Sequence, residues 1–534
     1  MQQSSSATGR DVPNGVPTIN VGELVSRYLR MYAEQEAVRT STASIRCMEL
    51  DRRTNRLANV LRGLGLARGD RVGVFLPNRI EVVELEIACY KAALAKTPIN
   101  SRLSPVEVAQ VLANSGATVV LTTAQRAEEF MPLAQGKRPQ LLLVDVPESS
   151  VQSYEAMLSR ASDAFAICEV GRDDLSVLHY TSGSSGVLKA AMQTFGNRLA
   201  LWRKFMMRPY GWGEPGDILG LVGPITHASG MHIAPAFCLG MTVRLFEMFE
   251  PESFLHTMRE ERIAQTFLVP TMINILLASA GGAGPILPEL KRLNYGAAPM
   301  APARILEAME VFGPVLTQGY GAGETTSGVC TLSVQDHIEA RARYPERLAS
   351  CGRPHAESLV EVVDVSGRVV PPGEIGEIVV SGEDVFAGYW NAPELTAEAL
   401  RDGRYYTGDL AKVDEHGFIY IVDRKKDMVI SGGFNVYPTE VEAVLYQHPA
   451  IAEACVFAVP DDKWGEIVGA HLVLRPGKGA SADEIDQFCA ERIGGFKRPR
   501  LVKFVDQLPK NPNGKVVRRV VQAAYWASRE RKVN

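Results

Sequence analysis

Tyr180-Thr-Ser-Gly-Ser-Ser-Gly-Val-Leu-Lys-Ala-Ala-Met-Gln-Thr194 follows the short apolar run Leu175 to Leu178. The run predicts a strand, and the stretch after it predicts a loop that wraps an anion. Gly183 and Gly186 let successive backbone N–H groups converge on a phosphate, while Thr181, Ser182, Ser184 and Ser185 add hydroxyl donors and Lys189 supplies a mobile positive charge. It is not a Walker loop. The glycines are too closely spaced, and Ala190 stands where a Mg²⁺-binding Ser or Thr would follow the lysine. A plain Ser/Gly-rich surface loop has the same composition, so the decision falls to the flanking chain.

Outward from this stretch, strands alternate with helices. The periodicity predicts helices over Val21 to Glu36, around Leu57, Val60, Leu61 and Leu64, over Val82 to Ala95 and over Pro105 to Asn114. Strands are expected at Val72 to Leu76, Thr118 to Leu121, Val243 to Leu245 and Thr266 to Val269. This pattern predicts doubly wound α/β layers. Between Val360 and Tyr420 short β-rich runs punctuated by glycine predict a small β-barrel, and beyond Arg424 an α/β pattern restarts. The expected fold is therefore α/β: a large N-terminal body of two doubly wound α/β subdomains plus a small β-barrel, then a small α+β C-terminal domain. Residues 1–19 read as a flexible leader, 20–424 as the N-terminal domain and 425–534 as the C-terminal domain.

The chain has 534 residues, 46% of them hydrophobic, and a formal charge of −4. It is long enough for more than one core, and it has no global charge that would draw it to nucleic acid or a membrane. Its eight cysteines are scattered without a C-x-x-C pair, which supports neither a zinc site nor a disulfide framework and suits a cytoplasmic location. Neither a signal peptide nor an apolar run of transmembrane length is evident. Partners should be small molecules, and a homo-oligomer is compatible with the sequence.

Four further motifs occur in order: Gln318-Gly-Tyr-Gly-Ala-Gly-Glu324, Tyr406-Thr-Gly-Asp409, Asp423-Arg-Lys-Lys-Asp427 running into Ser431-Gly-Gly-Phe-Asn-Val-Tyr-Pro438, and Pro509-Lys-Asn-Pro-Asn-Gly-Lys515. With the opening stretch, they resemble the adenylate-forming superfamily of acyl-CoA ligases, adenylation domains and luciferases, from about Leu50 to Arg519. The resemblance implies two steps: a carboxylate attacks the α-phosphorus of Mg·ATP, and the thiol of coenzyme A then displaces AMP from the acyl-adenylate. It implies that Lys515 bridges carboxylate and α-phosphate, that Glu324 holds Mg²⁺, that Tyr320 lies against adenine and that Asp409 accepts the ribose hydroxyls beside Arg424. The rest of the implied nucleotide site is Gly296, Ala297, Ala298, Gly319, Gly321, Gly323 and Ile421, together with the residues of the opening loop. His227 is placed at the junction of acid pocket and thiol channel, with Gly230, Met231, Ala298 and Ala322 lining the pocket. The resemblance also implies that Ser431, Gly432 and Gly433 border the pantetheine tunnel and that Lys426 is the hinge of a mobile C-terminal domain.

No Asp or Glu occurs from Ile218 to Phe246, and Gln265 to Pro288 carries no charged side chain. That composition argues against an amino-acid substrate and for an apolar acid, bulky or linear. Four positions depart from the family pattern: Leu188-Lys189-Ala190 replaces Pro-Lys-Gly, Phe195 replaces a histidine, and Gly323 replaces the threonine before Glu324. Lost hydrogen bonds to charged groups at about 1.5–3 kcal/mol each would weaken adenylation. One alternative is thus an enzyme that only converts pre-formed acyl-adenylate (acyl-AMP) to the thioester, and another is a stand-alone enzyme loading a carrier protein.

Overall fold

The alternation of apolar strands and amphipathic helices builds two large sheets with a shared helical layer between them. The computed structural model describes residues 13–134, 138–182, 188–207, 213–279, 284–511 and 516–527. The first sheet has six strands in the spatial order Leu188–Thr194, Leu175–Ser182, Ala95–Pro98, Arg71–Phe75, Val119–Thr122, Gln140–Leu143. All its pairings are parallel except that of the first two strands. The second has nine strands and a parallel centre running from Leu316–Gly321 through Arg292–Gly296, Gln265–Leu268, Ile218–Leu221 and Thr242–Leu245 to Glu36–Arg39. One continuous core joins the two sheets. It takes Val72, Val74 and Val119 from the first, Leu219, Leu221 and Val243 from the second, and the helices Val21–Met31, Ile80–Lys91, Phe195–Met206 and Ile233–Cys238 from between them.

A third, five-stranded antiparallel sheet is the half-barrel built on Arg404–Val413, which pairs with Gly376–Ser381 and with Ile419–Arg424. The C-terminal unit is a separate five-stranded sheet centred on Gly465–Leu474 and packed with helices Pro438–Leu445 and Ala482–Ala490 over its own core. The expected α/β architecture, with two doubly wound halves, a small curved β unit and a C-terminal α+β piece, is what the chain forms.

Local boundaries differ where a single residue overrides periodicity. The first helix stops at Met31, and Glu36 already begins a strand. The helix expected to reach Ala95 stops at Lys91, because Ala93 adopts a left-handed φ of 54° and Ala95–Pro98 continues as a strand. Leu188–Thr194, read from sequence as loop, is a strand antiparallel to Leu175–Ser182, with Lys189 opposite Thr181. Within the expected leader, Pro17–Thr18 pairs with Val170–Gly171, so this part is joined to the body. All eight cysteines are free. Among the described residues no helix is long and apolar enough to cross a membrane.

The strand carrying Lys189 leads directly into helix Phe195–Met206, capped by the Thr194 hydroxyl, which accepts from the Asn197 N–H. Phe195 is fully buried edge-to-face with Tyr90 at 6.1 Å. Phe195→Ala should cost about 3–5 kcal/mol, through lost burial and the cavity left behind. The check is a lowered urea midpoint, with nucleotide binding retained at low denaturant.

Candidate functional site

The half-barrel register sets Asp409 opposite Arg424. The Asp409 carboxylate, 8% exposed, lies 2.9 Å from Arg424 Nε and accepts from the Tyr320 hydroxyl at 2.7 Å. Tyr320 comes from the end of Leu316–Gly321, so this carboxylate ties the curved sheet to the central sheet. Asp409 holds the Arg424 guanidinium above its ordinary range, and burial together with Asp409 raises the Tyr320 phenol well above its own. The turn before Asp409 is fixed at Thr407, whose hydroxyl donates to the Ile378 carbonyl and accepts from the Asp409 N–H. A carboxylate offers about four acceptor directions, so two partners leave room for a vicinal diol. Ile421, 37% exposed, lines the cleft nearby.

Glu324 stands on the opposite side of Tyr320 in the same motif. Its carboxylate accepts from the Tyr389 hydroxyl at 2.9 Å, and its carbonyl accepts from the Phe386 N–H. Lys189 Nζ lies 5.2 Å from the centre of the Tyr389 ring. The segment carrying Tyr389 runs beside the strand of Lys189, with Trp390 N–H donating to Ala190 C=O and Met192 N–H donating to Gly388 C=O. Lys189, Tyr389 and Glu324 therefore follow one another along the cleft. Among the described residues no three His, Cys, Asp or Glu side chains gather as a metal cage. A lone hard carboxylate fits Mg²⁺ carried chiefly by substrate phosphates and water.

Two of the departures turn away from this wall. Ala190 is 1% exposed and packs with Leu178 and Tyr180, so its methyl enters the core rather than the cleft. Phe195 is likewise a core residue. Gly323 does face the cleft, and its carbonyl accepts from Gln193 Nε2 at 2.9 Å. Gly183, Ser184, Ser185, Gly186 and Lys515 lie outside the described residues, as do the side chains of Thr181 and Ser182.

One continuous cleft of about 3230 Å³ brings together Lys189, His227, Gly230, Met231, Gly296, Ala297, Ala298, Gly319, Tyr320, Gly321, Ala322, Gly323, Glu324, Asp409, Arg424 and Lys426. Small residues are required where backbones touch. A Cβ on Gly296 would meet the Gly319 carbonyl oxygen at 2.5 Å, and one on Gly230 would meet that of Ile225 at 1.9 Å, opening the turn that presents His227. Phe267, Val269, Met272 and Ile275 form the apolar wall expected from the uncharged segment.

The sequence reading missed a charged group in the same cleft. Glu86 pairs with Lys96 and, at 3.1 Å, with Arg198, and it accepts from the Tyr90 hydroxyl at 2.7 Å. Arg198 reaches the Gln193 side chain at 3.4 Å, which carries the network to the Gly323 carbonyl. Two buried cations share one carboxylate, leaving one net positive charge near His227 and His179, whose rings lie 5.4 Å apart. Burial, reinforced by the Lys96 charge, lowers His227 to about 4. Burial, then His227 and the same cations, lowers His179 to about 3. The available signal was a Glu within the helical stretch Ile80–Lys91, which is rich in apolar residues, and a Lys within the short strand Ala95–Pro98.

On the C-terminal unit, Asn511 and Val516, the described residues on either side of Lys515 in sequence, line the cleft. Ser431, Gly432 and Gly433 are not brought to it. Ser431 pairs with Gly465, and Gly432 N–H donates to the Trp464 carbonyl, its α-carbon against the indole.

The family profile described as AMP-binding enzyme matches residues 25–390, and that of the AMP-binding enzyme C-terminal domain matches 440–515. A feruloyl-CoA synthase of Amycolatopsis sp is 38% identical over 95% of this chain and 99% of its own. The medium/long-chain-fatty-acid–CoA ligase FadD8 of Mycobacterium tuberculosis is 32% identical over 97% and 92%. Among solved structures, the o-succinylbenzoate CoA synthetase of Bacillus subtilis in complex with its acyl-adenylate intermediate superposes with a TM-score of 0.83. It is 28% identical and covers 97% of this chain and 100% of that one.

The lowered histidines set a pH dependence. Between about pH 6.5, where a free histidine titrates, and about 4, the unfolded chain binds more protons than the folded one, so stability falls as pH falls through that window. The expected result is a melting temperature that drops between pH 6.5 and 4 and drops less in His179→Phe.

Proposed function

This chain belongs to the AMP-binding, adenylate-forming enzymes and is an ATP-dependent acyl-CoA ligase, and we propose that it carries out both half-reactions on an apolar, bulky carboxylic acid. The observation that carries the choice of acid is the cleft wall. It carries no charged side chain from Phe267 to Ile275, where Phe267, Val269, Met272 and Ile275 are apolar, and it is lined by the small residues Gly296, Ala297, Ala298, Ala322 and Gly323, leaving room for a ring or branch. The feruloyl-CoA synthase relative, named for an aromatic acid, supports the same reading.

In the first step the carboxylate oxygen attacks the α-phosphorus of ATP and pyrophosphate leaves. Asp409 and Arg424 hold the ribose, Tyr320 packs against adenine, and Lys189 and Glu324 face the phosphates. Glu324 would hold Mg²⁺, which spreads phosphate charge when bound. The net positive charge shared by Lys96 and Arg198 favours a carboxylate near His227, and Lys515 supplies the cation between carboxylate and α-phosphate. In the second step a thiolate of coenzyme A attacks the acyl carbon and AMP leaves. For this the C-terminal domain, 425–534, turns about Lys426 and brings Ser431, Gly432 and Gly433 to the pantetheine path.

The reading in which adenylation is absent rests on Gly323 and on Leu188, whose side chain lies outside the described residues, since the side chains of Ala190 and Phe195 lie in the core. The discriminating experiment is pyrophosphate exchange with a panel of acids, followed by coenzyme A-dependent AMP release. Robust exchange with aromatic or branched acids is expected, and Lys515→Ala should lower it about 100-fold or more. Absence of exchange with every acid, with supplied acyl-adenylates still converted, would contradict the complete-ligase reading. A preference for short straight acids would contradict the bulky-acid reading.

A further inference from the structure

Strand Ile419–Arg424 alternates its side chains, so while Arg424 faces Asp409, its neighbour Asp423 points into the C-terminal unit. Asp423 is 2% exposed. Its carboxylate accepts from the backbone N–H of Thr439 at 2.9 Å and lies 3.7 Å from the Arg518 guanidinium. The Thr439 hydroxyl donates to the carbonyl of Val422. Arg518 is held from its own side by Asp427 and by Glu442, each at 2.9 Å. It follows Lys515 by three positions.

We propose that Asp423 is a positioning residue that clasps the Lys515-bearing segment to the ribose strand and so favours the domain arrangement in which the acid is adenylated. The inference rests on the two-step reading and on a hinge at Lys426. Rotation there carries Asp427, Thr439, Glu442 and Arg518 together and leaves Asp423 and Val422 behind. Arg518 keeps two carboxylates throughout, so turning the domain never strands a buried guanidinium. What breaks is the set of contacts to the ribose strand, and Asp423 passes from a buried site into water. The clasp therefore adds stability to one arrangement only. Because Asp423 directly precedes Arg424, the residue that positions nucleotide and the residue that holds the domain are fixed by one stretch of backbone.

The test uses the full chain with Asp423→Ala and, as a milder variant that leaves Arg518 and its partners untouched, Thr439→Val. Pyrophosphate exchange and coenzyme A-dependent AMP release from supplied acyl-adenylate are measured separately. For Asp423→Ala, exchange should fall about tenfold in kcat with the KM for ATP nearly unchanged, and the second half-reaction should stay within about twofold. Thr439→Val should move the same way by less, and trypsin should cut at Lys425 and Lys426 faster in both. An equal fall in both half-reactions, or exchange unchanged in Asp423→Ala, would overturn the clasp. Lys515→Ala serves as the reference. If it leaves exchange intact, the underlying two-step assignment fails as well, whereas loss of exchange in Lys515→Ala with none in Asp423→Ala removes the clasp alone.

Discussion

The carboxylate of Asp409 is the constraint on which the rest of the site depends. It is bound to a phenol from the central sheet and a guanidinium from the half-barrel, so two sheets meet at one ion. Hydrogen bonds to ionised groups contribute about 1.5–3 kcal/mol each, and here they also fix the angle between the sheets. Glu324, a few residues beyond Tyr320, and Lys425, just beyond Arg424, inherit their positions from this junction. The cleft is the consequence. It opens where the edge of one sheet, the end of another and the start of the C-terminal unit share a vertex.

Charge is distributed unequally around that cleft. The body contributes an apolar wall, but a strand of the first sheet and the helices packed on it contribute a buried group in which Lys96 and Arg198 outnumber Glu86. An unbalanced buried cation is costly unless an anion meets it, and the substrate of a carboxylate-activating enzyme brings one. Burial first, and then the same cations, keep His179 and His227 neutral, so they present polar but uncharged edges beside the cleft. On the far side of Arg424 the balance reverses, with three carboxylates around Arg518, and the domain contact lies there.

Much of this was legible in the sequence. Alternating periodicity gave the α/β layers, the glycine-punctuated β runs gave the half-barrel, and the motifs around Tyr320, Glu324, Asp409 and Arg424 named residues that line one cleft. What was not legible depended on partners distant in sequence. Leu188–Thr194 reads as loop because its strand character comes from pairing with Leu175–Ser182 and from the segment around Tyr389, roughly two hundred residues on. Glu86 is one of three glutamates in its helix and Lys96 lies in a short strand, and only tertiary packing reveals that Arg198 joins them and that the group borders the cleft. Ala190 counts among the departures from the family pattern because one-dimensional spacing does not say which face of a strand a methyl occupies. Asp423 could be placed in its motif but not oriented, since its role follows from alternation against Arg424.

The measurement closest to the central claim is calorimetric titration of ATP and AMP into Asp409→Asn. The amide keeps the shape but loses the charge and part of the accepting capacity that hold Tyr320, Arg424 and a ribose together. The account predicts binding of both nucleotides weakened by about 10- to 100-fold, with the fold retained. Affinity within about twofold of the parent chain would contradict it.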